Sequence, residues 1–366
     1  MNMPIRVAHI MGKLWAGGVE MVVFNYYRAI DKRKIQFDFF YDSDSTVEPP
    51  KDLIEMGARF YKIPPYQNIF IYLKSLSYYF KKNKYKIVHS HINTLSVFPL
   101  FVAWYQNIPI RIAHNHSVPG GNELIRNLLK YFLKFFAKIF PTHYFACSEK
   151  SGRWLFGNSE FDSGNVCVLK NSIDFSKFRY DQKRRCELIE KYDLGDKFVV
   201  CHVGRFTFAK NHKRLIEIFS KLVKKIPQAI LFLVGDGELH KDILDQINKL
   251  KLNNNVICVG QVTNPFIYYS IANVVVLPSL FEGLSLVTIE SQAAGVPVAV
   301  SEFIPNEAII SNGVKQILLS DCDDVWVEEI INISKLVVTL DDRANKYDVN
   351  SSSKFLAGWY LEHYKK

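Results

Sequence analysis

The strongest constraint on this chain is an alternation that runs almost its whole length. Short runs rich in β-branched and aromatic residues are each followed by a stretch with helical spacing. Such alternation points to parallel sheets covered by helices, an α/β architecture. In the first half, strands are expected at residues 5–10, 37–41, 87–91, 110–114 and 143–146, with helices at 18–30, 69–82 and 122–140. After a further strand at 166–169 the series restarts. Strands then fall at 198–203, 229–234, 256–259, 274–277 and 298–300, and helices at 182–192, 213–225, 239–249, 265–271 and 286–294.

A chain of 366 residues is too long for a single core. The turn-forming Lys170-Asn171-Ser172-Ile173-Asp174 marks a boundary near residue 172, giving domains 1–171 and 172–351. Two such halves would face each other across a cleft, with ligands beyond the carboxyl ends of their strands. Hydrophobic residues make up 48% and charged residues 22%, which excludes a disordered chain. Six scattered cysteines form no C-x-x-C pair, so reduced cytoplasmic thiols are expected, and no run of apolar residues suits a signal peptide or a spanning helix. The net charge of +10 asks for an anionic partner: nucleic acid, a phosphorylated small molecule or an acidic membrane surface.

The densest chemical signal is Pro278-Ser279-Leu280-Phe281-Glu282-Gly283-Leu284-Ser285, which leaves a buried strand and enters a helix carrying Glu290. Ser285 suits the N-cap, and free amides at the helix start would hold an anion or sugar oxygens. Two carboxylates at different depths beside one helix start suit a polyhydroxylated ligand, because each carboxylate accepts two hydroxyls. A second signal is Val203-Gly204-Arg205-Phe206-Thr207-Phe208-Ala209-Lys210-Asn211-His212. It presents Arg205 and Lys210 at the same sheet edge, where they would neutralise a diphosphate. A third follows the first strand, Gly12-Lys13-Leu14-Trp15-Ala16-Gly17-Gly18-Val19-Glu20. Its spacing is not G-x-G-x-x-G, so no nicotinamide site is read. The histidines His89, His91, His114 and His116 form two H-x-H pairs at strand ends. No acidic or cysteine ligands accompany them, so no metal is expected. One histidine of the second pair is expected to contact a sugar, while the others pack or bond locally.

Together these residues resemble the retaining glycosyltransferases of family 4, with the GT-B fold of two Rossmann-like doubly wound domains. The resemblance covers nearly the whole chain and is closest to the exopolysaccharide and capsule branch. It rests on Gly17-Gly18-Val19-Glu20, the histidine-ending strand, Asn171-Ser172-Ile173-Asp174, Gly204-Arg205 with Lys210-Asn211, Leu233-Val234-Gly235-Asp236-Gly237-Glu238, and Glu282 with Glu290. It implies that Glu290 binds the donor's ribose, and that Glu282 with the amides of Gly283, Leu284 and Ser285 holds the donor sugar. Arg205 and Lys210 would hold the leaving diphosphate, with Gly17, Gly18, Gly204 and Gly235 lining the donor site. It further implies metal independence, no cofactor beyond a nucleotide sugar (UDP-linked), and a last helix at 352–364 returning to the first domain. Asp42-Ser43-Asp44 follows the second strand, away from the expected donor site. Asn171-Ser172 stands where the family often has Asn-Gly, and the doubled histidine leaves His114 and His116 as alternatives.

Arg126, Lys130, Lys134 and Lys138 stand at four-residue spacing in an apolar stretch whose only acid is Glu123. This reads as a membrane-surface helix, and residues 69–86 are similar. The expected acceptor is therefore a polyprenyl-diphosphate-linked saccharide at the inner face of the cytoplasmic membrane. No nucleic-acid motif accompanies the charge. Two other functions fit the same architecture: a UDP-N-acetylglucosamine 2-epimerase-like isomerase, which needs no acceptor, and a non-catalytic sugar-nucleotide-binding protein.

Overall fold

The computed structural model describes residues 3–15, 17–118, 124–179, 181–262 and 264–365, with the side chains of 124–127 outside the description. The chain divides into two compact units, Met1–Ile173 with Lys346–Lys366, and Asp174–Asn345.

The first unit is built on seven parallel strands: β1 (Ile5–Gly12), β2 (Ile35–Asp42), β3 (Arg59–Ile63), β4 (Ile87–Ser90), β5 (Ile110–Asn115), β6 (His143–Ala146) and β7 (Val166–Val168). They lie in the order β3-β2-β1-β4-β5-β6-β7, so the winding reverses between β1 and β4. Its helices are α1 (Gly18–Ala29), α2 (Lys51–Glu55), α3 (Ile69–Asn83), α4 (Val97–Tyr105), α5 (Leu124–Lys134), α6 (Glu149–Phe156) and α7 (Asn158–Asp162). One core layer joins Ala8, Ile10, Phe40 and Val88 of the sheet to Tyr72, Leu76 and Phe80 of α3 and Leu100 and Ala103 of α4.

The second unit begins with α8 (Gln182–Lys191) and continues through β8 (Val199–Val203), α9 (His212–Lys225), β9 (Ile230–Val234), α10 (His240–Lys249), β10 (Val256–Gly260), β11 (Val274–Leu277), α11 (Leu286–Ala293), β12 (Val298–Ser301), β13 (Val314–Ile317) and α12 (Asp323–Ile333). The strand order is β10-β9-β8-β11-β12-β13, again parallel, with the reversal between β8 and β11. Trp326 and Val327 of α12 share a core with Leu215, Phe219 and Leu222 of α9 under β8, β9 and β11.

The last helix, α13 (Val349–Lys365), packs on α1 in the first unit, starting one turn earlier than the expected 352–364. Ser172 explains part of this return. Its Oγ lies 2.5 Å from Ser352 Oγ and donates to the Lys170 carbonyl, while Ile173 bridges to Asp348. A glycine at position 172 would lack that tie.

Three expectations are corrected. Residues 265–271 form a 3-10 turn, not an α-helix. The stretch at 122–140 is shorter: α5 ends at Lys134 and residues 135–139 are turns, so Lys138 lies beyond the helix and pairs with Glu160. Glu123 and the side chain of Arg126 fall outside the description. Finally, β2 runs through Asp42, so Asp42-Ser43-Asp44 starts on the strand itself, in the first unit. Asp44 is paired there with Lys13 at 2.9 Å.

Candidate functional site

In the second unit the segments after β8 and β11 leave adjacent strands at the point where the winding reverses, the place where open parallel sheets bind ligands. The two loops are joined by Leu280 N–H donating to the Ala209 carbonyl at 2.8 Å. That tie brings Lys210 and Glu282, 72 residues apart, into direct contact: the ammonium donates to Glu282 Oε1. Ser279 Oγ donates to the same oxygen at 3.2 Å, which leaves Oε2 without a partner among the described residues. Arg205 is exposed on the same loop as Lys210.

Ser285 caps α11, its Oγ accepting from Thr288 N–H and Thr288 Oγ1. Glu290 lies in the second turn of this helix, and its Oε2 accepts from the Tyr269 hydroxyl at 2.9 Å. Burial pushes the Glu290 carboxyl up to about 7, against the pull of the Tyr269 hydroxyl and the Lys210 charge. Gly283 faces open space: a side chain there would meet nothing within 4 Å. Gly235 is different. Its φ is +139°, and a Cβ would stand 2.0 Å from the Gly204 carbonyl oxygen, so the chain's own backbone requires glycine where the ends of β8 and β9 meet. The same junction holds Gly204 N–H on the Val234 carbonyl at 2.9 Å. Beside Lys210 two more histidines are buried. His202 donates through Nδ1 to the Val276 carbonyl at 2.8 Å, and both ring nitrogens of His212 are buried without a partner among the described residues.

In the first unit, the segment after β1 wraps back on its own helix. The Glu20 carboxylate accepts from the backbone N–H groups of Trp15 (2.9 Å) and Gly17, so the Gly17 amide is already occupied when Gly18 starts α1. Beside it, five imidazoles fill the ends of β1, β4 and β5 in two hydrogen-bonded rows. One runs from His9 Nδ1 to His91 Nε2 (2.9 Å), His91 Nδ1 to His116 Nε2 (3.0 Å) and His116 Nδ1 to Asn171 Oδ1 (3.2 Å). With Asn171 accepting, each ring carries its proton on Nδ1, and His9 Nε2 is left as a buried lone pair with no partner among the described residues. The other runs from the Tyr360 hydroxyl to His89 Nδ1 (2.5 Å) and His89 Nε2 to His114 Nδ1 (3.1 Å), with His114 Nε2 unpaired among the described residues.

Burial drives all five below the ordinary histidine range, His9 to about 3 and His116 to about 4, the latter eased upward by Asn171. His114 is fully buried, whereas His116 keeps 5% of its surface exposed and stands just past the strand end. Two triads, His9–His89–His91 and His91–His114–His116, bring ligand atoms within 4.8 Å of one another, and both consist of imidazoles alone.

Comparison with known proteins decides what these sites belong to. The family model of group 1 glycosyl transferases matches residues 185–348, and that of glycosyltransferase family 4 matches residues 16–177. EpsF of Bacillus subtilis (strain 168), assigned as a glycosyltransferase, is 30% identical over 335 residues, covering 89% of this chain and 86% of its own length. The chain belongs to glycosyltransferase family 4. An Escherichia coli UDP-Gal:alpha-D-GlcNAc-diphosphoundecaprenol alpha-1,3-galactosyltransferase is 24% identical over 377 residues, 98% of this chain and 94% of that protein. The capsular polysaccharide biosynthesis glycosyltransferase CapM of Staphylococcus aureus is 29% identical over 299 residues, 77% of each. Among solved structures, Anabaena Alr3699/HepE in complex with UDP-glucose superposes with a TM-score of 0.77 at 16% identity, over 98% of this chain and 100% of that one. The fold is GT-B, and the enzyme is a glycosyltransferase of the polysaccharide and capsule kind.

Within this glycosyltransferase, the structure brings Lys210, Glu282, Ser285 and Glu290 together around the start of α11 and keeps Gly204 and Gly235 at the neighbouring strand ends. Gly17, Gly18, His114 and His116 lie in the other unit. Sequence reasoning missed Tyr269, the partner of Glu290, because a tyrosine in an apolar turn 21 residues away carries no spacing signal. It also missed His9, whose place in the histidine row comes from the pairing of β1 with β4, His9 opposite His89.

Proposed function

We propose that the enzyme moves a hexose or N-acetylhexosamine from a UDP-linked sugar to a saccharide carried on polyprenyl diphosphate, retaining the anomeric configuration and using no metal. The observation that carries this reading is the Lys210–Glu282 contact beside the capped start of α11, with Glu290 behind it. Supporting it, one relative is named for UDP-galactose and a diphosphoundecaprenol acceptor, and HepE was solved with UDP-glucose.

Each residue then has a role. Glu290 accepts the ribose hydroxyls. Glu282 turns its free oxygen to the donor sugar, with the open edge at Gly283 and the amides of Leu284 and Ser285 alongside. As the sugar becomes oxocarbenium-like, charge collects on the diphosphate, where Lys210 and Arg205 stabilise it more than they stabilise the ground state. Lys210 thereby supplies the positive charge that a divalent ion would otherwise bring. A diphosphate oxygen accepts the proton of the incoming hydroxyl, and attack on the same face retains configuration. His116, at the strand end, contacts the sugar, while His114 supports it from within. Gly17 and Gly18 also serve the donor.

The basic, apolar α5 region gives the enzyme a membrane-facing surface. Leu128 is 72% and Phe135 82% exposed, among Lys130, Lys134 and Lys138. No helix among the described residues is long and apolar enough to cross a membrane. The test is transfer from radiolabelled UDP-sugars to polyprenyl-diphosphate N-acetylhexosamine, with EDTA and with NMR of the product anomer. Retained configuration and undiminished turnover in EDTA are expected. An inverted product, or conversion of UDP-GlcNAc with no acceptor present, would overturn the reading.

A further inference from the structure

The first unit holds a cavity of about 150 Å³. It is formed where the segments after β3, β4 and β5 meet α5 and α6. Tyr66, Leu129, Leu133 and Trp154 make an apolar and aromatic wall, and Asn93 and Ser117 a polar rim. Leu129 and Leu133 are four residues apart and so share one face of α5. The neighbouring face, with Leu128 and Phe132, is exposed. The indole Nε1–H of Trp154 is buried and has no acceptor among the described residues.

The rim is wired to the reacting end of the unit. Asn93 adopts a left-handed backbone, φ +53°, and its Oδ1 accepts from His116 N–H at 2.8 Å while its Nδ2 donates to Ser117 Oγ at 3.2 Å. The cavity thus lies between the backbone of His116 on one side and the exposed apolar side chains of α5 on the other.

We infer that this cavity is the seat of one sugar ring of the acceptor, the ring next to the lipid-linked diphosphate. The chemistry fits a pyranose: its C–H faces lie against Trp154 and Tyr66, and its hydroxyls meet the side chains of Asn93 and Ser117. The volume accommodates a single ring. Its position places the acceptor hydroxyl toward His116 and the diphosphate-lipid end toward α5. The inference rests on the lipid-linked acceptor proposed above for its orientation, and on the cavity alone for the sugar.

Leu129→Trp fills the cavity from a position already partly exposed on α5, so the fold should tolerate it. Two measurements on the full chain separate the possibilities. In transfer assays the acceptor KM should rise at least about tenfold, with the donor Kd unchanged by calorimetry. In saturation-transfer NMR, at least one methyl glycoside among glucose, galactose, GlcNAc and GalNAc should receive saturation from the wild type and lose it in Leu129→Trp. If the wild type transfers to no polyprenyl-diphosphate saccharide yet the glycoside signal is present and lost on filling, the lipid-linked reading falls and the sugar seat stands. An unchanged acceptor KM, or no glycoside signal in the wild type, overturns the sugar seat itself.

Discussion

Acidification should destabilise the first unit before ordinary carboxylates titrate. His9, His89, His91, His114 and His116 are buried as neutral rings, and all have pKa values depressed by desolvation. A histidine with a depressed folded pKa contributes its full stability above the unfolded value of about 6.5. Below that pH the unfolded chain binds the proton and the folded one does not, so stability falls until the folded pKa is reached. For His9, at about 3, and His116, at about 4, the window runs from roughly pH 6.5 downward. At pH 5 each has lost about 2 kcal/mol, so the two together lose about 4 kcal/mol. His89, His91 and His114 add to the loss in the same direction. Against a total stability on the order of 5–15 kcal/mol, that is a large fraction.

Two carboxyls in the same unit oppose it. Burial raises Asp42 to about 7 and raises Glu20, so their protonation favours the folded state as pH falls. Asp42→Asn removes the larger opposing effect. Trp326→Phe leaves every remaining tryptophan in the first unit, so fluorescence then reports that unit. In this double variant the urea midpoint should drop by more than about 1 M between about pH 8 and about pH 5. An unchanged midpoint would refute the neutral, desolvated histidine rows.

Three further outcomes follow from individual contacts. Gly235→Ala forces a Cβ onto the Gly204 carbonyl at a φ of +139°, and should cost about 3 kcal/mol or more, read as a lowered Tm for the second unit. Tyr269→Phe removes the hydroxyl that holds down the Glu290 pKa, so Glu290 should protonate at higher pH. UDP affinity should then fall about tenfold at pH 7 and recover toward alkaline pH, measured by calorimetry across that range. Phe132→Ser with Phe135→Ser should reduce co-sedimentation with anionic liposomes at low salt while leaving the melting temperature within about 1 °C, both side chains being exposed.

Much of the fold was legible because buried parallel strands read as plain apolar runs: Val274–Leu277 and His143–Ala146 fall where the pattern placed them. The strands that escaped, β3 and β13, are both sheet edges, with sequences RFYKI and VKQI whose partly exposed polar positions dilute the apolar signal. Helix α4 escaped for the opposite reason. VFPLFVAWY is apolar on every side, and its proline sits in the first turn, where a missing N–H costs little.

The site shows the same division. The segments that carry Glu282, Glu290, Arg205 and Lys210 stood out because Gly, Pro and Ser punctuate the loops of Arg205, Lys210 and Glu282 and the entry to the helix of Glu290. What those residues touch was not legible, because the Lys210–Glu282 and Tyr269–Glu290 contacts are set by strand order. The proposed assignment of the sugar contact to His116 likewise drew on the structure: His116 stands just past the end of β5 with 5% of its surface exposed, against none for His114.

Lys210 pairs with Glu282, and the proposed mechanism assigns it to the leaving diphosphate during transfer. The most direct test is kcat for glycosyl transfer by Lys210→Ala, with donor Kd measured in parallel. The predicted result is a kcat lower by about 10²–10³ and a donor Kd weakened far less, because the charge acts mainly in the transition state. A kcat equal to wild type in a folded Lys210→Ala protein would contradict it.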